Sequence, residues 1–200
     1  MTRSPGRRRL PTDRRREELL AAALELFGRR SSHEVSIDDV AVAAGASRAL
    51  VYHYFGNKRE LYVAALRKAA GDLSERLAPP EEGSPRERLA VAVARYFDFA
   101  EEHAAGFAAL LRGGPPYRDD EVGAVVDQVR RTILDRLVDG LGVAEATGVL
   151  RATLRAWIAA AEAATLDWLE HRDVDRAILE GTLVDQLAAM LEVAAAYDST

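Results

Sequence analysis

Apolar positions along this chain recur at spacings of three and four residues and almost never alternate. Leu19, Leu20, Ala23, Leu24 and Phe27 make one such stripe, and Val122, Val126, Val129, Ile133 and Leu137 make another. Leu150, Leu154, Trp157, Ile158, Ala161, Thr165 and Trp168 form a third, and Ile178, Leu179, Leu183, Leu187, Met190 and Leu191 a fourth. This spacing follows the turn of an α-helix and buries one face of it. The chain is rich in alanine and leucine, and runs of β-branched residues are few, which favours helix over strand. The pattern predicts an all-α fold of about nine helices.

Capping residues bracket the predicted helices. Thr12 or Asp13 starts the first, and Gly28 falls near its end. Ser36 starts the second, where Asp39 can close a capping-box-like pair, and Gly45 suits the left-handed turn that ends it. Ser47 caps a third helix to about Tyr54. Asn57 with Glu60 caps a fourth that carries Leu61, Ala65, Leu73 and Leu77 inward. Pro79 to Pro85 reads as a linker and Gly113-Gly114-Pro115-Pro116 as a second break. Between and beyond them lie helices from Pro85 to about His103, Ala105 to Leu111, Asp119 to about Leu141, Val143 to about His171, and Val174 to about Tyr197. No internal repeat is evident.

The stretch from Ser36 to Lys58, SIDDVAVAAGASRALVYHYFGNK, has the physics of a helix–turn–helix. Val40, Ala41 and Ala44 give its first helix a small apolar face. Ala46, Leu50 or Val51, and Phe55 complete the packing, and Gly45 makes the tight turn. In such a unit the start of the second helix enters the major groove of DNA. Here that start carries Ser47, Arg48 and Ala49, followed by Tyr52 and His53.

Charge both complicates and sharpens this picture. The formal net charge of −5 argues, as an average, against a nucleic-acid partner. The average hides a split: residues 1–70 carry +6 and residues 71–200 carry −11. Seven Arg and one Asp in residues 1–16 hold the whole positive excess, and residues 17–70 are neutral. Residues 1–11 read as a disordered basic arm that can reach phosphates or a minor groove.

The remaining composition excludes several classes. Apolar content of 48% with 30% charged residues excludes wholesale disorder. No apolar run approaches the ~18 residues of a membrane span, and the basic start lacks the apolar stretch of a secretory signal. With no cysteine there is no disulfide framework, thiolate zinc site or cysteine nucleophile, and a reducing cytoplasm fits. No nucleophile elbow, P-loop, dinucleotide fingerprint or HExxH motif occurs. The four histidines are dispersed, and Asp167 with His171 has the spacing of a surface ion pair. The sequence therefore points away from an enzyme, and no cofactor or metal is expected.

The run Ser36-Ile37-x-x-Val40-Ala41-x-x-Ala44-Gly45-x-Ser47, then Tyr52-His53-Tyr54-Phe55-x-Asn57-Lys58 and Leu61-Tyr62, resembles the TetR family of one-component bacterial repressors. The close match covers about residues 12–66, and the remainder matches only in layout. The resemblance implies a helix–turn–helix domain at 12–56 and a helical effector-binding and dimerisation domain at 57–200, with 57–77 as the connecting helix. It also implies roles by position. Arg48 reads a base edge, since guanidinium is the usual bidentate partner of guanine. Ala49 offers only shape or thymine-methyl contact. Ser47, Tyr52, His53 and Lys58 hold phosphates, and Ser36 can donate to one. Tyr54 and Phe55 pack. Two residues depart from the family pattern. Asp38 places a carboxylate near the groove, where it pairs with Arg48 or serves the cap. Leu50 replaces a small hydroxyl residue.

For the acidic remainder, the resemblance implies a small-molecule site and a second copy of the chain. The Ala-, Leu- and Ile-rich faces of the last two helices suit a four-helix dimer interface. A twofold dimer implies a near-palindromic operator. Tyr96, Phe99, His103, Phe107, Tyr117, Trp157, Glu162 and Trp168 are the candidate ligand residues. Glu162 would be a polar anchor favouring a cationic or hydroxylated ligand. The function implied is a DNA-binding repressor released by a small molecule; the alternative is a ligand-independent regulator of the same fold.

Overall fold

The computed structural model describes residues 11–80, 82–113 and 120–198, and these residues form nine helices and no strand. The helices are α1 (Pro11–Arg29), α2 (Ile37–Ala43), α3 (Arg48–Phe55), α4 (Lys58–Arg76), α5 (Pro85–Glu102), α6 (Ala104–Gly113), α7 (Asp120–Leu141), α8 (Gly148–His171) and α9 (Arg176–Asp198). No helix among the described residues is long and apolar enough to cross a membrane.

Local capping chemistry explains most boundaries. The Ser36 hydroxyl accepts the Asp39 N–H at 3.0 Å, and the Asp39 carboxylate accepts the Ser36 N–H at 2.8 Å, so the capping box is complete. Asn57 accepts the Glu60 N–H and donates to the Glu60 carboxylate. Ser84 and Glu87 repeat the box at α5, with Pro85 in its first turn. At Pro11, the first described residue, α1 is already helical, ahead of the Thr12 or Asp13 start read from the sequence. The arm to residue 10 lies outside the described residues, as does most of the Gly-Pro break at 114–119.

One boundary departs clearly from the pattern. The eighth helix starts at Gly148, not Val143. Gly142 ends α7 in the left-handed region at φ 69°. The Thr147 hydroxyl then accepts the Leu150 N–H at 3.1 Å, which places the cap five residues later than apolar spacing alone implies.

Three apolar clusters hold the helices together. The first joins Leu19, Ala23 and Phe27 of α1, Val40 of α2, Val51 and Phe55 of α3, and Leu61 and Val63 of α4. Val122 of α7 is buried in this same cluster. The second joins Val93 and Phe97 of α5 to Leu154 and Trp157 of α8 and Leu183 and Leu187 of α9. The third joins Leu73 and Leu77, at the far end of α4, to Phe99 and Phe107. Thus α4 begins in one core and ends in another. Arg176 fixes α9 to α5 through Asp98 at 2.6 Å and Glu101 at 2.7 Å, while its Nε holds Glu180 at 2.6 Å.

Candidate functional site

The turn between α2 and α3 is built from backbone bonds. Gly45 has φ 55°, a conformation that side chains disfavour. Its N–H donates to the Val42 carbonyl at 3.1 Å, and the Ala46 N–H donates to the Ala41 carbonyl at 2.8 Å, a Schellman closure. Arg15 of α1 donates to the Gly45 carbonyl at 2.7 Å and ties the turn to the first helix. Of the two packing options at the start of α3, Val51 is fully buried and Leu50 only partly.

This frame presents the start of α3 to solvent. Ser47, Arg48, Ala49, Tyr52 and His53 are all exposed. The Ser47 hydroxyl accepts the Leu50 N–H at 3.2 Å, so it caps the helix as well as facing out. The Arg48 guanidinium lies 3.2 Å from Asp38, with both side chains 60% exposed, and 3.4 Å from the Tyr52 hydroxyl. These two partners hold Arg48 more firmly in its charged form. Asp38 is therefore the partner of Arg48, while Asp39 serves the cap. Tyr54 packs its ring partly against the first core. Lys58 reaches back to the His33 carbonyl at 3.3 Å. Ser36 is less available than its position implies, because its hydroxyl donates to Asp39 at 2.8 Å.

A second feature lies among α5, α7, α8 and α9, with Leu77 and Pro79 also on its wall. It is a cavity of about 680 Å³, within the usual range of about 300–1,000 Å³ for ligand pockets. Val93, Tyr96, Leu137, Leu154, Trp157 and Leu187 give it apolar walls. A smaller cavity of about 100 Å³ sits between α1, α4, α6 and α7 and takes in Phe99, His103 and Phe107. Tyr96 and Glu162 line both. The candidate ligand residues are thus divided between two spaces, and Tyr117 lies outside the described residues.

Two of those candidates have other tasks. Trp168 lines neither cavity; it packs edge-on to Phe97 at 5.3 Å and donates to the Val174 carbonyl at 3.0 Å. Glu162 is held by Arg130 through two bonds of 2.9 and 2.7 Å. A carboxylate already neutralised this way is a weak anchor for a cationic ligand, contrary to its sequence reading. Burial, aided by the Glu162 charge, pushes the Tyr96 hydroxyl far above the ordinary phenol range, so it stays neutral. Burial also pushes His103 below the ordinary histidine value, with nearby Glu102 acting the other way.

Pattern reading missed Arg88, Arg130 and Arg136 beside the cavities, and Val122 in the first core. Arg88 comes from α5 and Arg130 and Arg136 from α7, and no motif marks them. Glu121, next to Val122, holds Arg59 and Arg67 of α4 at 3.1 and 2.6 Å. Among the described residues no group of three His, Asp or Glu side chains is placed to hold a metal.

The fold and the exposed start of α3 define a class: a helix–turn–helix DNA-binding regulator with a helical C-terminal domain. Residues 19–65 match the bacterial regulatory proteins of the tetR family, and residues 85–190 match the tetracyclin repressor-like C-terminal domain. The chain belongs to the TetR family. It is 35% identical over 133 residues to the HTH-type transcriptional activator FasR of Mycolicibacterium smegmatis, covering 66% of this chain and 60% of that protein. It is 39% identical over 98 residues to the HTH-type transcriptional regulator BetI of Brucella anthropi, covering 46% and 50%. The matched region thus spans about half to three-fifths of these curated relatives. A tetR-family transcriptional regulator crystal structure from Streptomyces coelicolor superposes with a TM-score of 0.90 at 46% identity, covering 95% of this chain and 86% of that one.

Proposed function

We propose that this protein is a cytoplasmic repressor that binds a near-palindromic operator as a homodimer and leaves it when a small molecule enters the large cavity. One observation carries the link between cavity and DNA. Both α4 and α7 run from the helix–turn–helix core to the cavity wall: Leu61 and Leu77 mark the two ends of α4, and Val122 and Leu137 mark the same two places on α7. A ligand touching the cavity ends of these helices acts on the helices that seat α3. In this reading Arg48 meets a base edge. Ala49 gives shape contact, and Ser47, Tyr52, His53 and Lys58 hold phosphates, with Ser36 contributing at most an accepting oxygen. Exposed alanines on α8 and α9, together with Ile178 and Val193, support those two helices as the dimer face.

The test is selection of bound sequences from a random DNA pool with the full chain, followed by release with cavity ligands. Enrichment of a near-palindrome, and its release by a saturating ligand, is the expected result. Absence of any enriched sequence would overturn the DNA-binding reading. Equal operator affinity with and without bound ligand would overturn the release mechanism.

A further inference from the structure

Two arginines that line the large cavity each carry one buried nitrogen that nothing satisfies. The Nε of Arg88 on α5 and the Nη1 of Arg136 on α7 are buried and have no hydrogen-bond partner among the described residues. A buried, unpaired guanidinium N–H is costly to hold. An arriving acceptor removes that cost, and a charged acceptor gains most from it.

Both guanidiniums belong to one end of the cavity. A side-chain carbon at Gly140 would lie 3.7 Å from the Arg88 Nη2, so Arg88 reaches α7 at that residue. Gly140 is one helical turn beyond Arg136, and residues four apart share a helix face. The Arg88 guanidinium therefore lies against α7 within one turn of Arg136. The other charges on this wall are accounted for. Arg86 is paired with Asp185, Glu162 with Arg130, and Asp139 is exposed to solvent. Away from this end, Val93, Leu154, Trp157 and Leu187 offer only apolar surface.

We infer that the cavity takes an amphipathic anion, with an alkyl chain along the apolar walls and a carboxylate or phosphate head held by Arg88 and Arg136. The inference rests on the reading of this cavity as a ligand site. It gives the ligand a chemistry opposite to the cation that Glu162 alone would imply. Residues 71–200 carry −11, so the general field of this domain repels an anion and two placed guanidiniums must hold it. The head then bridges α5 to α7, the helix whose other end carries Val122 into the helix–turn–helix core.

The chain has two tryptophans. Trp157 lines the cavity and Trp168 does not, so emission at Trp157 reports occupancy. The experiment titrates the full chain with dodecanoate, dodecyl phosphate, dodecanol and dodecyltrimethylammonium, each below its micelle concentration. At least one anion is expected to bind about tenfold or more tightly than the alcohol or the ammonium. The tighter of the two anions identifies the head group. Arg88→Gln and Arg136→Gln should each remove most of that preference while leaving dodecanol affinity nearly unchanged and the unliganded melting temperature unchanged or raised. Equal binding of anions and alcohol by the wild type, or full preference in both variants, would overturn the inference and leave the cavity reading intact. Failure of every probe to bind would overturn both.

Discussion

At the scale of single residues, the proposed DNA reading turns on Arg48. Its contact with Asp38 is an exposed ion pair, screened by solvent and worth little. Releasing Arg48 toward a base therefore costs little. Arg48→Ala should cost about 1–3 kcal/mol of operator binding and relax preference at one base position, whereas Lys58→Ala should weaken all sequences alike and lower the salt slope by about one. Competition binding with single-base operator variants at several salt concentrations separates the two. A uniform loss from both substitutions would remove base reading from Arg48. The caps at Ser36, Ser47 and Asn57 were legible in sequence because each is a local bond between residues three apart. The role of Glu162 was not, since its partner Arg130 lies on another helix. Trp168 likewise has the composition of a ligand contact and the surroundings of a core residue.

Among elements, the junction of α1 with α6 is the most demanding. A side-chain carbon on Gly106 would fall 2.6 Å from the Phe27 carbonyl oxygen, and one on Gly28 would fall 2.9 Å from the His103 Nδ1. The first obstacle is backbone and cannot swing away. Gly106→Ala is expected to lower stability by about 1–3 kcal/mol, as overpacking does. Gly123→Ala, where nothing lies within 4 Å, should raise it by roughly 0.5–1 kcal/mol, because glycine weakens a helix interior. Thermal melts of the two variants check the contrast; a neutral Gly106→Ala would mean that α6 docks more loosely than its contacts imply. Sequence spacing finds both glycines inside helices and cannot tell them apart. The distinction exists only once a second helix lies against one of them.

For the whole molecule, the open question of charge is answered by separation. The basic excess lies at the N-terminal end and the acidic body holds the cavity, so under the proposed function DNA affinity rests on a few placed contacts doubled by symmetry. The face available for that symmetry is apolar: Ile178 is 64% exposed and Val193 60%, among the exposed alanines 152, 156, 159, 160, 163 and 189. A dimer through this face predicts that Ile178→Glu with Val193→Glu yields a monomer that retains its helix content and loses most operator affinity. Sedimentation velocity and far-UV circular dichroism measure the first two, and a band-shift titration the third. A double variant that remains dimeric would place the interface elsewhere.

The sequence by itself determined the helices, most of their ends and the helix–turn–helix, because caps, turns and amphipathic stripes are short-range and each residue meets its partner within one or two turns. The tertiary structure alone decided which inward residues border space and which fill it. It also decided which carboxylates are already neutralised, and that α7 as well as α4 enters the DNA-binding core. Those outcomes depend on residues tens of positions apart, such as Arg130 with Glu162 or Arg88 beside Gly140. An apolar stripe looks the same in sequence whether the neighbouring helix closes against it or stands away and leaves a cavity.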